Sequence, residues 1–149
     1  MNRAFKLHLA AMLVLAASVV ARAGEPQSVA NSTTLRGTVV DVTGAVILGA
    51  GDTIDTSRGE ITGKVTAADK DTFDFSGSFG HNTIVGFVGT TTQHDIIDFA
   101  SDDFANYAAV QSHMAQVGAN VVITLDAADT IILQHITLAH LVASDFTFG

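Results

Sequence analysis

Residues 94–100 read HDIIDFA, and the same acidic phrase occurs twice more, as GDTIDTS at 51–57 and KDTFDFS at 70–76. Each copy has an aspartate, a Thr or Ile, a large apolar residue, a second aspartate and, at its close, a small residue. Three origins fit such a phrase: a metal cage, a turn signal repeated for structural reasons, or the trace of an ancestral repeat. The copies are separated by 19 and then 24 residues. That keeps neither a nine- nor an eighteen-residue period, so the phrases read as eroded coils.

Around these phrases the chain divides into two halves. From Thr34 to about Phe87 it is a run of short β-prone segments punctuated by Gly37, Gly44, Gly49, Gly51, Gly59 and Gly63, too closely spaced for helices. Short strands with frequent turns suggest a solenoid or a small sandwich. The polar stretch GEPQSVANSTT ahead of them, with the single proline Pro26, is expected to be a flexible leader over 24–33. The second half differs in kind. SDDFANYAAVQSHMAQVG predicts a helix from an N-cap at Ser101, with Asp102 and Asp103 in its first turn and Gly118 as its stop. Phe104, Tyr107, Val110, Met114 and Val117 would form its core-facing stripe, with His113 on another face. NVVITLDAADTIILQHI then predicts a hairpin, and TLAHLVASDFTF a short helical turn from Leu138 followed by an extended FTF.

The length of 149 residues suits one domain, and 48% hydrophobic content supports a real core. Fifteen acidic residues face seven basic ones, and no Lys or Arg follows Lys70. Such a surface repels phosphate backbones, which speaks against nucleic-acid binding, and favours hard cations. The absence of cysteine excludes disulfides, Cys-ligated zinc and thiol chemistry.

At the N-terminus, Arg3 and Lys6 precede an apolar run over Leu9–Ala21, and ARA at 21–23 fits a small-x-small cleavage pattern before Gly24. Residues 1–23 are expected to be a cleaved signal peptide, with no stable membrane insertion afterwards. The remaining chain would carry four basic residues against fifteen acidic ones, a net charge of −11.

The tract GSFGHNTIV at 77–85 can be laid on the nine-residue pattern G-G-x-G-x-D-x-U-x, where U is a large apolar residue. Gly77, Gly80 and Ile84 match, while Ser78 replaces the second Gly and Asn82 replaces Asp. With GSFGHNTIVGFV, HDIIDFA, NVVITLDAADTIIL and ASDFTFG following in order, the chain resembles the C-terminal end of RTX, or haemolysin-type calcium-binding repeat, proteins over roughly residues 70–149. The resemblance implies a mainly β fold, a short β-roll-like solenoid over 34–87 followed by a C-terminal cap over 88–149 with one amphipathic helix and a hairpin. It also implies calcium as the cofactor.

A hard cation of this kind takes about six to eight oxygens, more than one degenerate repeat supplies, so the expectation is weak binding. The candidate metal residues are Asp71, Asp95 and Asp98, which flank the nonapeptide, with the Gly80 carbonyl and the Asn82 side chain as neutral oxygens. Asp restored at position 82 is expected to strengthen the site. The competing explanation for these aspartates is turn formation and solvated strand ends. His81, His94, His113, His135 and His140 show no zinc-binding spacing.

There is no Gly-x-Ser-x-Gly elbow, and the only glutamates are Glu25 and Glu60. The chain is therefore expected to be no enzyme but a secreted, non-catalytic RTX-like module. The alternatives are an adhesin-like or matrix protein that binds glycans or surface polymers, and a degenerate remnant of a larger RTX protein. The resemblance implies type I export through a C-terminal address, whereas the N-terminal segment implies export through a cleaved signal. Both put the chain outside the cytoplasm, and neither specifies an oligomeric state.

Overall fold

The computed structural model describes residues 27–28, 34–36, 46–55, 64–89, 92 and 94–149. The expected signal peptide lies outside them.

The acidic phrases are the strands of one sheet. β4 (Thr53–Asp55) lies parallel between β2 (Thr34–Arg36) and β6 (Thr72–Phe75), and β6 is followed by β8 (Ile96–Phe99). β12 (Phe146–Phe148) closes this five-stranded sheet, again in parallel. The opposite sheet begins with β1 (Gln27–Ser28), β3 (Val46–Ile47), β5 (Lys64–Thr66) and β7 (His81–Val85), all parallel. Chain order alternates between the two sheets, so each coil contributes one strand to each. This is a mainly β solenoid of the roll type.

The coil length is regular where the sequence reads as eroded. Thr34 is in register with Thr53 and Thr53 with Thr72, while Val46 is in register with Val65 and Val65 with Ile84. Each of these steps is 19 residues, as is the step from Asp52 to Asp71. The next step on the five-stranded sheet lengthens to the 24 residues that separate Asp71 from Asp95. The period is 19, with one insertion ahead of β8. Two residues of the stretch expected to be a flexible leader, Gln27 and Ser28, pair with Val46 and Ile47 as part of the same ladder.

Strand alternation explains why the phrase repeats. Successive side chains point to opposite faces, so Asp52 and Ile54, Asp71 and Phe73, and Asp95 and Ile97 point into the coil and are at most 2% exposed. Asp55, Asp74 and Asp98 point outward and are half-buried. Inside, Phe99 is the hub of an aromatic cluster, 4.8 Å from Phe104, 6.2 Å from Phe75, 6.3 Å from Phe79 and 6.4 Å from Phe146 by ring centroids. Each fully buried Phe contributes about 1.5–3 kcal/mol through its apolar surface.

The C-terminal half closes the coil. β10 (Asn120–Thr124) and β11 (Thr130–Gln134) form the expected hairpin, with β11 parallel to β7. Leu138–His140 forms a 3₁₀ turn and β12 the final extended segment, also as expected. The helix is shorter than the periodicity predicts. α1 spans Tyr107–Ser112, and its cap is Asn106, whose Oδ1 accepts from Ala109 N at 3.1 Å. Ser101–Asp103 is a turn.

Met114–Val117, read as the last helical turns, is a strand, β9, antiparallel to β10. Gly118 is not a helix stop. It takes φ +60 in the two-residue turn between β9 and β10, where a side chain is strained. Pairing with β10 outcompetes the helix because it gives β9 a hydrogen-bonded neighbour and leaves Met114 on the core. Val117 then faces out, 56% exposed, instead of joining the stripe.

Candidate functional site

The first aspartate of each phrase is structural in geometry. Asp71 Oδ1 accepts from Asp52 N at 2.9 Å, and its Oδ2 accepts from Ala68 N at 2.7 Å. One coil further on, Asp95 Oδ1 accepts from Asp71 N at 2.9 Å and Oδ2 from Val88 N at 2.9 Å. Asp52 Oδ2 accepts from Gly49 N at 2.7 Å. The three carboxylates form a spine along one corner, where the chain leaves the strand ladder and backbone N–H groups would otherwise be buried without acceptors.

The opposite corner uses the same device. Asp129 Oδ1 accepts from Gly80 N at 2.6 Å, next to the turn where Gly80 takes φ +71. Burial raises the Asp71 carboxyl above the usual carboxylate range, against the N–H groups of Ala68 and Asp52. Burial likewise pushes Asp95 up to about 6, with the neighbouring charge of Asp71 adding to it and the Val88 and Asp71 N–H groups opposing it.

The second aspartates make a different arrangement. Asp55 is in register with Asp74 and Asp74 with Asp98, so three carboxylates stand side by side on the outer face of the five-stranded sheet. Adjacent strands are about 4.8 Å apart, a spacing at which like charges repel. Asp74 Oδ1 accepts from Ser76 Oγ at 3.2 Å. Asp98 Oδ1 is buried and has no hydrogen-bond partner. It lies in a cleft of about 210 Å³ lined by Asp74, Ser76, Asp98, Phe99, Ala100 and Gly149. A buried, uncompensated carboxylate oxygen is costly unless something positive meets it.

Of the residues expected to bind metal, Asp71 and Asp95 are brought into direct contact through the spine, with their carboxylates turned inward. Asp98 shares a strand with neither Gly80 nor Asn82. It is in β8, whereas Asn82 is in β7 of the opposite sheet and Gly80 is in the turn before it. Asn82 is 2% exposed, and its Nδ2 donates to Phe79 O at 2.6 Å. Among the described residues, no group of three or more His, Cys, Asp and Glu is placed to hold a metal ion.

Sequence reading missed one acidic group. Asp103 Oδ2 is buried without a partner, and burial raises its carboxyl, with Asp129, Asp102 and Asp126 adding to the effect. The DD at 102–103 was legible only as a helix start. The histidines lie apart. His81 Nδ1 is 2.7 Å from Thr130 Oγ1, His140 Nδ1 is 3.0 Å from Thr137 Oγ1, and the His113 ring stands edge-on to Phe104 at 5.1 Å.

No helix among the described residues is long and apolar enough to cross a membrane. No family model matches the chain, and no curated protein matches it. Among solved structures it is similar to the extracellular lipase LipA from Serratia marcescens, at 15% identity and a TM-score of 0.45. The match covers 87% of this chain and 20% of the lipase, so the chain spans about a fifth of that protein's length. The expectation that the chain is no enzyme is corrected on this finding, because the similar structure is that of an enzyme. At that TM-score the likeness assigns no activity to this chain.

Proposed function

We propose that the chain is a secreted RTX-like β-roll module that binds calcium weakly on the outer face of its five-stranded sheet. The observation that carries this reading is the partnerless Asp98 Oδ1 beside Asp74 in the outer cleft. The donor set is right for a hard cation: carboxylates from adjacent strands with the Ser76 hydroxyl next to them. Two carboxylates and a hydroxyl fall short of six to eight oxygens. Water would fill the remaining positions, and the affinity belongs in the weak extracellular range, on the order of 10⁻⁴ to 10⁻³ M. The N-terminal Arg3, Lys6 and ARA pattern supports export.

The spine carboxylates are a poorer choice for the ion. Asp71 and Asp95 already accept two backbone N–H groups each, and a cation there would have to displace them. Thermal melting of the purified chain with calcium, with magnesium and with chelator tests the reading. Calcium is expected to raise the midpoint beyond the magnesium control by mass action, and Asp98→Asn to remove that rise. Equal midpoints in all three conditions would sink it.

One observation favours a second use of the same face. Thr53 and Thr72 are in register two positions before Asp55 and Asp74, setting hydroxyl-bearing residues beside the acids on this face. An adhesin-like or matrix role would place a glycan or another surface polymer there. Retention on a glycan column that is unchanged by chelator would favour it over calcium.

A further inference from the structure

β9 is the terminal strand of the seven-stranded sheet, paired on one side with β10. Thr124 N donates to His113 O at 3.0 Å, and Ala115 lies opposite Val122. Antiparallel alternation therefore turns the backbone groups of Ala115 and Val117 toward β10, and those of Met114 and Gln116 away from it. Sheet edges in natural proteins are commonly protected by Lys or Pro against pairing with another chain. The β9 sequence MAQV has neither, and Ala115, Gln116 and Val117 are exposed.

The surroundings point to what would cover this edge. The chain carries a net charge of −8, so two copies repel over most of their surface. Yet no Asp, Glu, Lys or Arg occurs from Phe104 to Leu125 or from Thr130 to Ser144, the segments that build the β9 side of the cap. This is where like charge opposes contact least. An antiparallel strand edge is also complementary to itself about a two-fold axis.

We propose that β9 pairs antiparallel with β9 of a second copy of this chain, joining the two seven-stranded sheets. Met114 then exchanges backbone hydrogen bonds with Gln116 of the second copy, and Ala115 lies on the axis opposite its own counterpart. That central pair is of the non-hydrogen-bonded kind, with Cα atoms about 4.5 Å apart, within the disulfide range.

The chain has no cysteine, so a single introduced thiol reports cleanly. Under mild oxidation Ala115→Cys is expected to cross-link to a dimer, whereas Ala128→Cys, exposed in the β10–β11 turn, stays monomeric. Sedimentation equilibrium of the unmodified chain is expected to show its mass doubling with concentration. The paired change Ala115→Lys with Val117→Lys is expected to return it to monomer, with the melting temperature that the unmodified chain shows when dilute enough to be monomeric. A monomeric mass up to the solubility limit overturns the proposal. So does a dimer that the two lysines leave intact, or binding at this edge by a strand peptide of another protein that self-association does not compete with.

Discussion

The backbone N–H of Asp71 donates to Oδ1 of Asp95 at 2.9 Å, although the two residues are 24 positions apart and belong to successive coils. Asp95 Oδ2 holds Val88 N, so one buried side chain satisfies two backbone donors that the strand ladders do not reach. Asp95→Ala strands both donors. At about 1–3 kcal/mol for each unsatisfied buried group, the loss should be roughly 2–6 kcal/mol. Chemical denaturation measures it, and a loss under about 1 kcal/mol would mean that the spine is dispensable.

Acidity should stabilise this corner. The Asp95 carboxyl titrates near 6 in the fold, against 3.8 when unperturbed, so the folded state holds the extra proton across that interval. Its contribution is fully present below about 3.8, is lost as pH rises through about 6, and amounts to roughly 3 kcal/mol at most. Asp71 is raised too and acts in the same direction. The midpoint should therefore be higher near pH 5 than near pH 7.5, and Asp95→Asn should flatten that difference. A steeper slope in the variant contradicts the assignment.

Gly89, next to Val88 of the spine corner, packs against Asp145. A Cβ there would lie 2.9 Å from Asp145 Oδ2 and 3.1 Å from the His140 carbonyl oxygen. Asp145 is fully buried and accepts from Val142 N at 2.9 Å, so it has little room to retreat. Gly89→Ala should cost about 1–3 kcal/mol as an overpacking change. Gly77→Ala, where a Cβ meets nothing within 4 Å, isolates the separate cost of a positive φ. Comparing the two unfolding curves separates clash from backbone strain.

Asn82→Asp reverses an expectation drawn from the nonapeptide. The Asn82 amide donates to Phe79 O at 2.6 Å inside the coil, and a carboxylate there would lose the donor and face a carbonyl oxygen. The change should destabilise the fold by several kcal/mol, with or without calcium. An Asn82→Asp chain that melts at the unmodified temperature in chelator would refute this.

The β-roll was legible because Asp-x-apolar-Asp is an alternating phrase, and alternation fixes which face enters the core. Its period was not legible, because the first coil reads Thr34-Leu35-Arg36 and carries no aspartate to mark the beat. The helix was overextended for a local reason. Met114 and Val117 keep helical spacing from Val110, and nothing local in MAQV discloses the partner strand β10 that draws it into the sheet. The division of labour between inner and outer aspartates depends on pairing register, which a list of acidic residues does not contain. Asp103 was hidden in the same way, since its environment comes from Gly77 and Asp129, remote in sequence.

The corner bonds run one way along the chain. Asp52 is satisfied by Asp71, Asp71 by Asp95 and Gly80 by Asp129, so in each case the acceptor arrives from a later coil. A coil emerging from the ribosome thus lacks the side chain that completes it until its successor has been made. Coils are finished in the order in which they are made, each one coil behind the ribosome. The newest coil is always the open one, and the last of these corners closes only when Asp129, in the C-terminal half, reaches Gly80.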